Sequence, residues 1–183
     1  MFLAFFHLIL KHNEGMMIRL LKVIKKAIKI LKLRFRKFAL EFMEIACQIY
    51  MKNPISEFLY IFEVLVGSLY EDPEFTQIFI KAYEIISEST MNFLKGKDVK
   101  EESEFVEDFF GLLFRYAKYL PNVLLQSKSF EINFHLAELS LGLDQPNIEK
   151  TLFLFLERIF KLCNSNPRTD MERVKFRTLN KCL

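Results

Sequence analysis

Apolar residues recur at intervals of three and four along most of the chain, the spacing that lines one face of a helix. Phe58, Ile61, Phe62, Leu65 and Leu69 form one such stripe, and Phe105, Phe109, Leu112, Leu113 and Tyr116 form another. No segment alternates with a period of two. The spacing predicts helices over 2–12, 17–32, 36–52, 54–71, 74–95, 101–119, 128–142, 146–163 and 169–180. Start signals punctuate them: Asn53 as an N-cap with Pro54 at the first helical position, Asp72 followed by Pro73, Pro146, and a capping box from Thr169 to Glu172.

The predicted helices fall into pairs, 36–71, 74–119 and 128–163, preceded by a separate helix over 17–32. Pair starts at 36, 74 and 128 are unevenly spaced, the second interval being lengthened by "GKDVKEES" and "LPNVLLQSKS". Irregular pairs of about forty residues are the mark of a HEAT-type solenoid. The expectation is an all-α chain, residues 1–183 forming one solenoid segment of antiparallel helix pairs in a right-handed superhelix. The terminal units lack an obvious polar cap, which points to a piece of a longer array. A compact helical bundle is the alternative.

Composition supports a large helical core: 51% hydrophobic residues, 21 Phe, and only 5 Gly and 5 Pro. Net charge is +3, but residues 1–40 hold ten basic residues and one acidic, whereas 41–183 hold 16 and 22. Charge is thus segregated, not merely slightly positive. Cys47, Cys163 and Cys182 are widely spaced and form no CxxC, which fits reduced intracellular thiols better than a disulfide framework. The opening "MFLAFFHLIL" is half the length of a membrane span and lacks the flanks of a signal peptide, so it reads as a core helix.

Catalytic chemistry has little to stand on. His7, His12 and His135 sit at no metal-ligand spacing, and Gly67, Gly111 and Gly142 form no phosphate loop. Glu101, Glu102, Glu104, Glu107 and Asp108 resemble an acid/base cluster, yet at a helix start they complement the macrodipole. The expectation is a binding protein that is no enzyme, with no cofactor, no metal and no catalytic residue.

One segment invites a ligand. "IRLLKVIKKAIKILKLRFRK", residues 18–37, holds nine basic residues and no acidic one. On a wheel of 100° per residue, Arg19, Lys22, Lys25, Lys26, Lys29, Lys32, Arg36 and Lys37 fill an arc of about 140°. Leu20, Val23, Ile24, Ala27, Ile28, Leu31 and Phe35 lie opposite, and Leu33 and Arg34 break the pattern, predicting a turn near 33–36. A cationic face without acids repels itself, so an anionic partner is expected. An acidic or phosphorylated protein segment fits a fixed cationic stripe. A membrane surface is the rival; a merely solvated face and a generic interaction scaffold are the bland readings. Direct nucleic-acid binding lacks base-reading Asn or Gln in the stripe.

From "FALEFMEIACQIYMKNPISEFLYIFEVLVGSLYEDPEF" to "ESEFVEDFFGLLFRYAKYLPNVLLQSKSFEINFHLAELSLGLDQPNIEKTLFLFLERIFKL", the chain resembles the later HEAT repeats of the transportin 3 and importin 13 branch of importin-β-type nuclear transport receptors. The resemblance spans about residues 18–163, and "VEDFFGLLFRYAKYLPNVLLQS" carries most of it, an acidic-aromatic helix followed by a Pro-led short one. It implies a nuclear import receptor, in fragmentary or reduced form, moving between cytoplasm and nucleus. It also implies that a basic helix upstream of these repeats grips Arg/Ser-rich, often phosphorylated, splicing-factor cargo. By order along the chain the cargo-binding residues are then Arg19, Lys22, Lys26 and Lys29. All but Arg19 are Lys, which lacks the bidentate fork of Arg. The Ran-GTP-binding repeats of the family have no counterpart in this sequence, so Ran is expected as a partner only with further upstream repeats.

Overall fold

The computed structural model describes residues 14–165. The helices expected over 2–12 and 169–180, together with His7, His12, Cys182 and the capping box at Thr169, lie outside those residues. Among the described residues every regular element is helical. They are α1 (Glu14–Leu31), α2 (Arg36–Tyr50), α3 (Ser56–Leu69), α4 (Thr76–Leu94), α5 (Ser103–Tyr119), α6 (Pro121–Gln126), α7 (Phe130–Ser140) and α8 (Pro146–Ser165). Short 3-10 turns at Lys32–Phe35 and Pro73–Phe75 lead into α2 and α4. The first is the break expected at Leu33–Arg34.

The boundaries follow local chemistry. Asp72 accepts a hydrogen bond from the Glu74 N–H at 3.1 Å and caps the turn before α4, while Pro146 opens α8, both as expected. Asn53 does not cap α3. That helix starts at Ser56 behind an extended Ile55, and Asn53 instead donates its N–H to the Ile49 carbonyl at 2.9 Å, finishing the turn that ends α2. At the end of α4, Gly96 takes φ 80°, a left-handed conformation that lets the backbone leave the helix without a Cβ penalty. Arg158 of α8 donates to the Ala117 and Lys118 carbonyls at 3.2 and 3.5 Å, satisfying the last turn of α5.

Packing alternates along the chain. Helices α1, α3, α5 and α8 touch in that order to form one row, and α2, α4, α6 and α7 touch in order to form a second. Each step along the sequence thus crosses from one row to the other, with α6 and α7 together filling one place. The two stripes read from the sequence are buried throughout between the rows, Phe58 to Leu69 on α3 and Phe105 to Tyr116 on α5. Each of these large side chains contributes about 1.5–3 kcal/mol of burial. Aromatic edges mesh across the seam, as where the Tyr83 and Tyr116 rings meet at 4.9 Å and 60°.

Most polar groups inside the seam are paired; among the described residues the buried Asn133 Oδ1 is left without a partner. Tyr116 donates to the Phe79 carbonyl at 3.0 Å, and the Tyr50 and Thr90 hydroxyls lie 2.7 Å apart. The Asn133 amide of α7 donates to Tyr83 and Ser87 of α4 at 2.8 and 2.9 Å, tying neighbouring parts of the second row. Cys47 is packed in the same interior, and burial pushes its thiol up to about 12, which keeps it protonated and unreactive.

Candidate binding surface

Among the described residues helix α1 is the first of its row, packed against α3. Its Met17, Leu21, Ile24 and Ile28 are buried there. Arg19, Lys22, Lys26 and Lys29 are all exposed, so the four residues expected from the sequence do share one accessible face. They are not equivalent. The Lys29 ammonium donates to the Tyr60 hydroxyl of α3 at 3.0 Å. Lys25, which is half-buried, lies over the Tyr60 ring at 3.2 Å from its centroid, a cation–π contact. Arg19, Lys22 and Lys26 meet no acidic side chain among the described residues.

Two members of the expected cationic arc are otherwise employed or placed. Arg36 pairs with Asp72 at 2.6 Å and Glu74 at 2.8 Å, fixing the start of α2 to the turn before α4. The side chain of Lys32 lies outside the described residues. The apolar side of the helix also departs from expectation: Val23 is 62% and Ile30 79% exposed, with Met16 and Leu31 also open. The wheel places Val23 and Leu31 on the apolar arc with Ile24 and Ile28. Packing against α3 alone instead claims a narrower strip centred on Leu21, Ile24 and Ile28, one flank of the apolar arc.

Beyond Tyr60 the sign of the surface reverses. Glu63 of α3 receives the Arg115 guanidinium of α5 at 2.7 Å. Beside it stand Glu104, Glu107 and Asp108 of α5. Partial burial first, then the charges of Glu107, Glu104 and Glu63, push the Asp108 carboxyl up to about 7, while Lys25 of α1 pulls it back down. The macrodipole accounts for Glu104 in the first turn of α5. It does not account for Asp108, which lies a turn further in, where the dipole has faded. The sequence shows the part of this crowding that Glu104 and Glu107 supply on the same helix, but not the part from Glu63 and Lys25, which arrive from other helices.

His135, at the far end of the rows, is exposed and sits 3.2 Å from Glu138. Among the described residues no three His, Cys, Asp or Glu side chains converge on a metal-sized site, and no helix is long and apolar enough to cross a membrane. Neither a scan against protein-family models nor a search of curated proteins finds a match to this chain.

Proposed function

We propose that this chain is a HEAT-type solenoid segment that binds anionic protein segments along α1, as a fragment or reduced form of an importin-β-type nuclear import receptor. The observation that carries the reading is the accessible set Arg19, Lys22 and Lys26, cations on one helix face with no acidic partner among the described residues. The strict crossing from row to row supports the solenoid, since stacked helix pairs bury their faces only against their neighbours. Cargo would be protein, with phosphorylated Arg/Ser-rich segments the chemistry that best suits a row of cations. Cytoplasm and nucleus are the compartments this reading assigns, and Ran-GTP enters only with further repeats.

The test is fluorescence anisotropy with a phosphorylated Arg/Ser-repeat peptide and its unphosphorylated twin. Binding of the phosphorylated form is expected to weaken steeply between about 50 and 300 mM salt, as exposed charges are screened beyond about 10 Å. Charge reversal at Lys22 and Lys26 is expected to weaken it at least about tenfold, an energy of about 1.4 kcal/mol. Equal affinity for both peptides, or indifference to the reversal, defeats the proposal.

A second reading rests on the open Val23 and Ile30 beside those cations. Apolar side chains flanked by lysines are what an interfacial helix presents to an anionic bilayer. Co-sedimentation with phosphatidylserine vesicles separates the two. Tight vesicle binding lost on changing Val23 and Ile30 to Ser, with no affinity for the phosphopeptide, selects the membrane.

A further inference from the structure

Among the described residues α1 and α8 are the first and last helices of the first row, and each leaves an apolar strip open. On α1 the outward strip is Val23, Lys26 and Ile30; Ile30 and Val23 are the two most exposed large hydrophobics among the described residues. On α8 it is Phe153, Glu157 and Phe160, all exposed. They border an open groove of about 1280 Å³ whose other wall includes Phe134 and Leu141. Water solvates such surfaces poorly, and apolar side chains set out at helical spacing are a place for a partner.

We infer that the two strips are each other's partners: α1 of one copy of this chain packs antiparallel on α8 of a second copy, head to tail. Three observations name that occupant. The first is register. Val23, Lys26 and Ile30 are spaced by three residues and then four, the seam spacing of paired helices, and Phe153, Glu157 and Phe160 by four and then three. Run in opposite directions the two series coincide over about 10 Å. Val23 then meets Phe160, Lys26 meets Glu157, and Ile30 meets Phe153. The second is the flanks. On a wheel Ala27 and Leu31 lie to one side of the α1 strip, and Leu154 lies to the same-handed side of the α8 strip. Reversing one helix brings like-handed flanks together, so these apolar residues meet, and Lys22 and Lys29 fall on the flank away from Lys150 and Lys161. The third is charge. Helix α1 carries five basic residues and one acidic, whereas residues 130–165 carry five acidic and three basic. Of those three, Arg158 is engaged with the α5 carbonyls. Glu157 already accepts from Lys161 one turn on, but an exposed pair of this kind is weak and leaves the carboxylate open to a second cation. The contact stands apart from the cargo reading, although both use Lys26.

The two surfaces differ, so a copy joined through one still offers the other, and assembly grows as an open chain instead of closing as a symmetric dimer. Sedimentation velocity of the full chain from about 1 to about 200 µM is expected to show the average mass climbing through and beyond the dimer. Val23→Asp disables the α1 strip and Phe153→Asp the α8 strip; both positions are exposed, so circular dichroism should show unchanged helix content. Each variant alone is expected to stay monomeric. Mixed in equal amounts they should form a one-to-one dimer and stop there, because only one intact strip remains on each copy. Ile30→Asp and Phe160→Asp, from the same strips, should reproduce this pattern. An unaltered chain that stays monomeric at the highest concentration overturns the inference. So does a Val23→Asp variant that still associates, which would mean that α1 is not in the contact, or a mixture of the two variants that stays monomeric.

Discussion

Tyr60 decides how the cationic helix is held. Its ring supports Lys25 and its hydroxyl accepts from Lys29, so one side chain of α3 fixes the heading of two cations on α1. Tyr60→Phe keeps the ring and removes the hydroxyl, freeing Lys29 at a stability cost of about 0.5–1.5 kcal/mol or less, given its exposure. Replacing Lys22 and Lys26 by Arg is the complementary change. Guanidinium forks bind phosphate oxygens in pairs where ammonium offers a point charge, so the double substitution is expected to tighten phosphopeptide binding several-fold. Unchanged anisotropy titrations would show that the phosphates do not sit on these residues. Asp108 supplies the residue-scale pH dependence. Its carboxyl is raised from 3.8 to about 7 in the folded chain, so between those values the folded state holds a proton that the unfolded state has lost. Stability from this group therefore falls as pH rises through that window. Asp108→Asn is expected to raise the melting temperature at pH 8, with the gain shrinking towards pH 4.5. A gain independent of pH would place the cause elsewhere.

At the scale of helices, legibility divided along a physical line. Stripes facing a single seam, as on α3 and α5, follow the 3.6-residue period closely, and the sequence reading located them residue by residue. The spacing predicts helix α1 and its Leu33–Arg34 break, but it does not distinguish the exposed Val23 and Leu31 from the buried Ile24 and Ile28 on the same apolar arc. Among the described residues α1 has one neighbour in its row, α3, and Val23, Ile30 and Leu31 are exposed, an outcome that the period of a single helix does not encode. Asn53–Pro54 misled for a similar reason, because the preceding helix used the Asn53 N–H in its own closing turn. The four cations and the acidic run Glu104, Glu107 and Asp108 are legible because charge patterning is local; the approach of Tyr60, Glu63 and Lys25 is not, because they come from α1 and α3. The Asn133 bridge is equally hidden, joining residues more than forty positions apart. Asn133→Ala removes the amide's hydrogen bonds to the Tyr83 and Ser87 hydroxyls, a loss partly offset because the unpaired Asn133 Oδ1 goes with it, and should cost about 1 kcal/mol in urea unfolding. A Tyr83→Phe background should shrink that loss, since fewer partners are then orphaned.

For the molecule as a whole, the open question between a stacked array and a compact bundle has an energetic answer. In a stack each helix is stabilised by its neighbours, so a defect at one end loosens that end first and leaves the other intact. In a bundle with one shared core, any comparable defect unfolds everything together. Ile159 of α8 and Phe109 of α5 are both fully buried, but α8 contacts α5 and α7 at the end of its row whereas α5 sits between α3 and α8. Large-to-small changes at such positions cost about 2–5 kcal/mol. Ile159→Ala is expected to speed amide exchange in α7 and α8 while α2, α3 and α4 keep near-original rates. Phe109→Ala should speed exchange in every helix, because it weakens the link on which both halves depend. Uniform acceleration by both variants would identify a bundle, and with it would go the main support for a repeat surface on which α1 displays its cations.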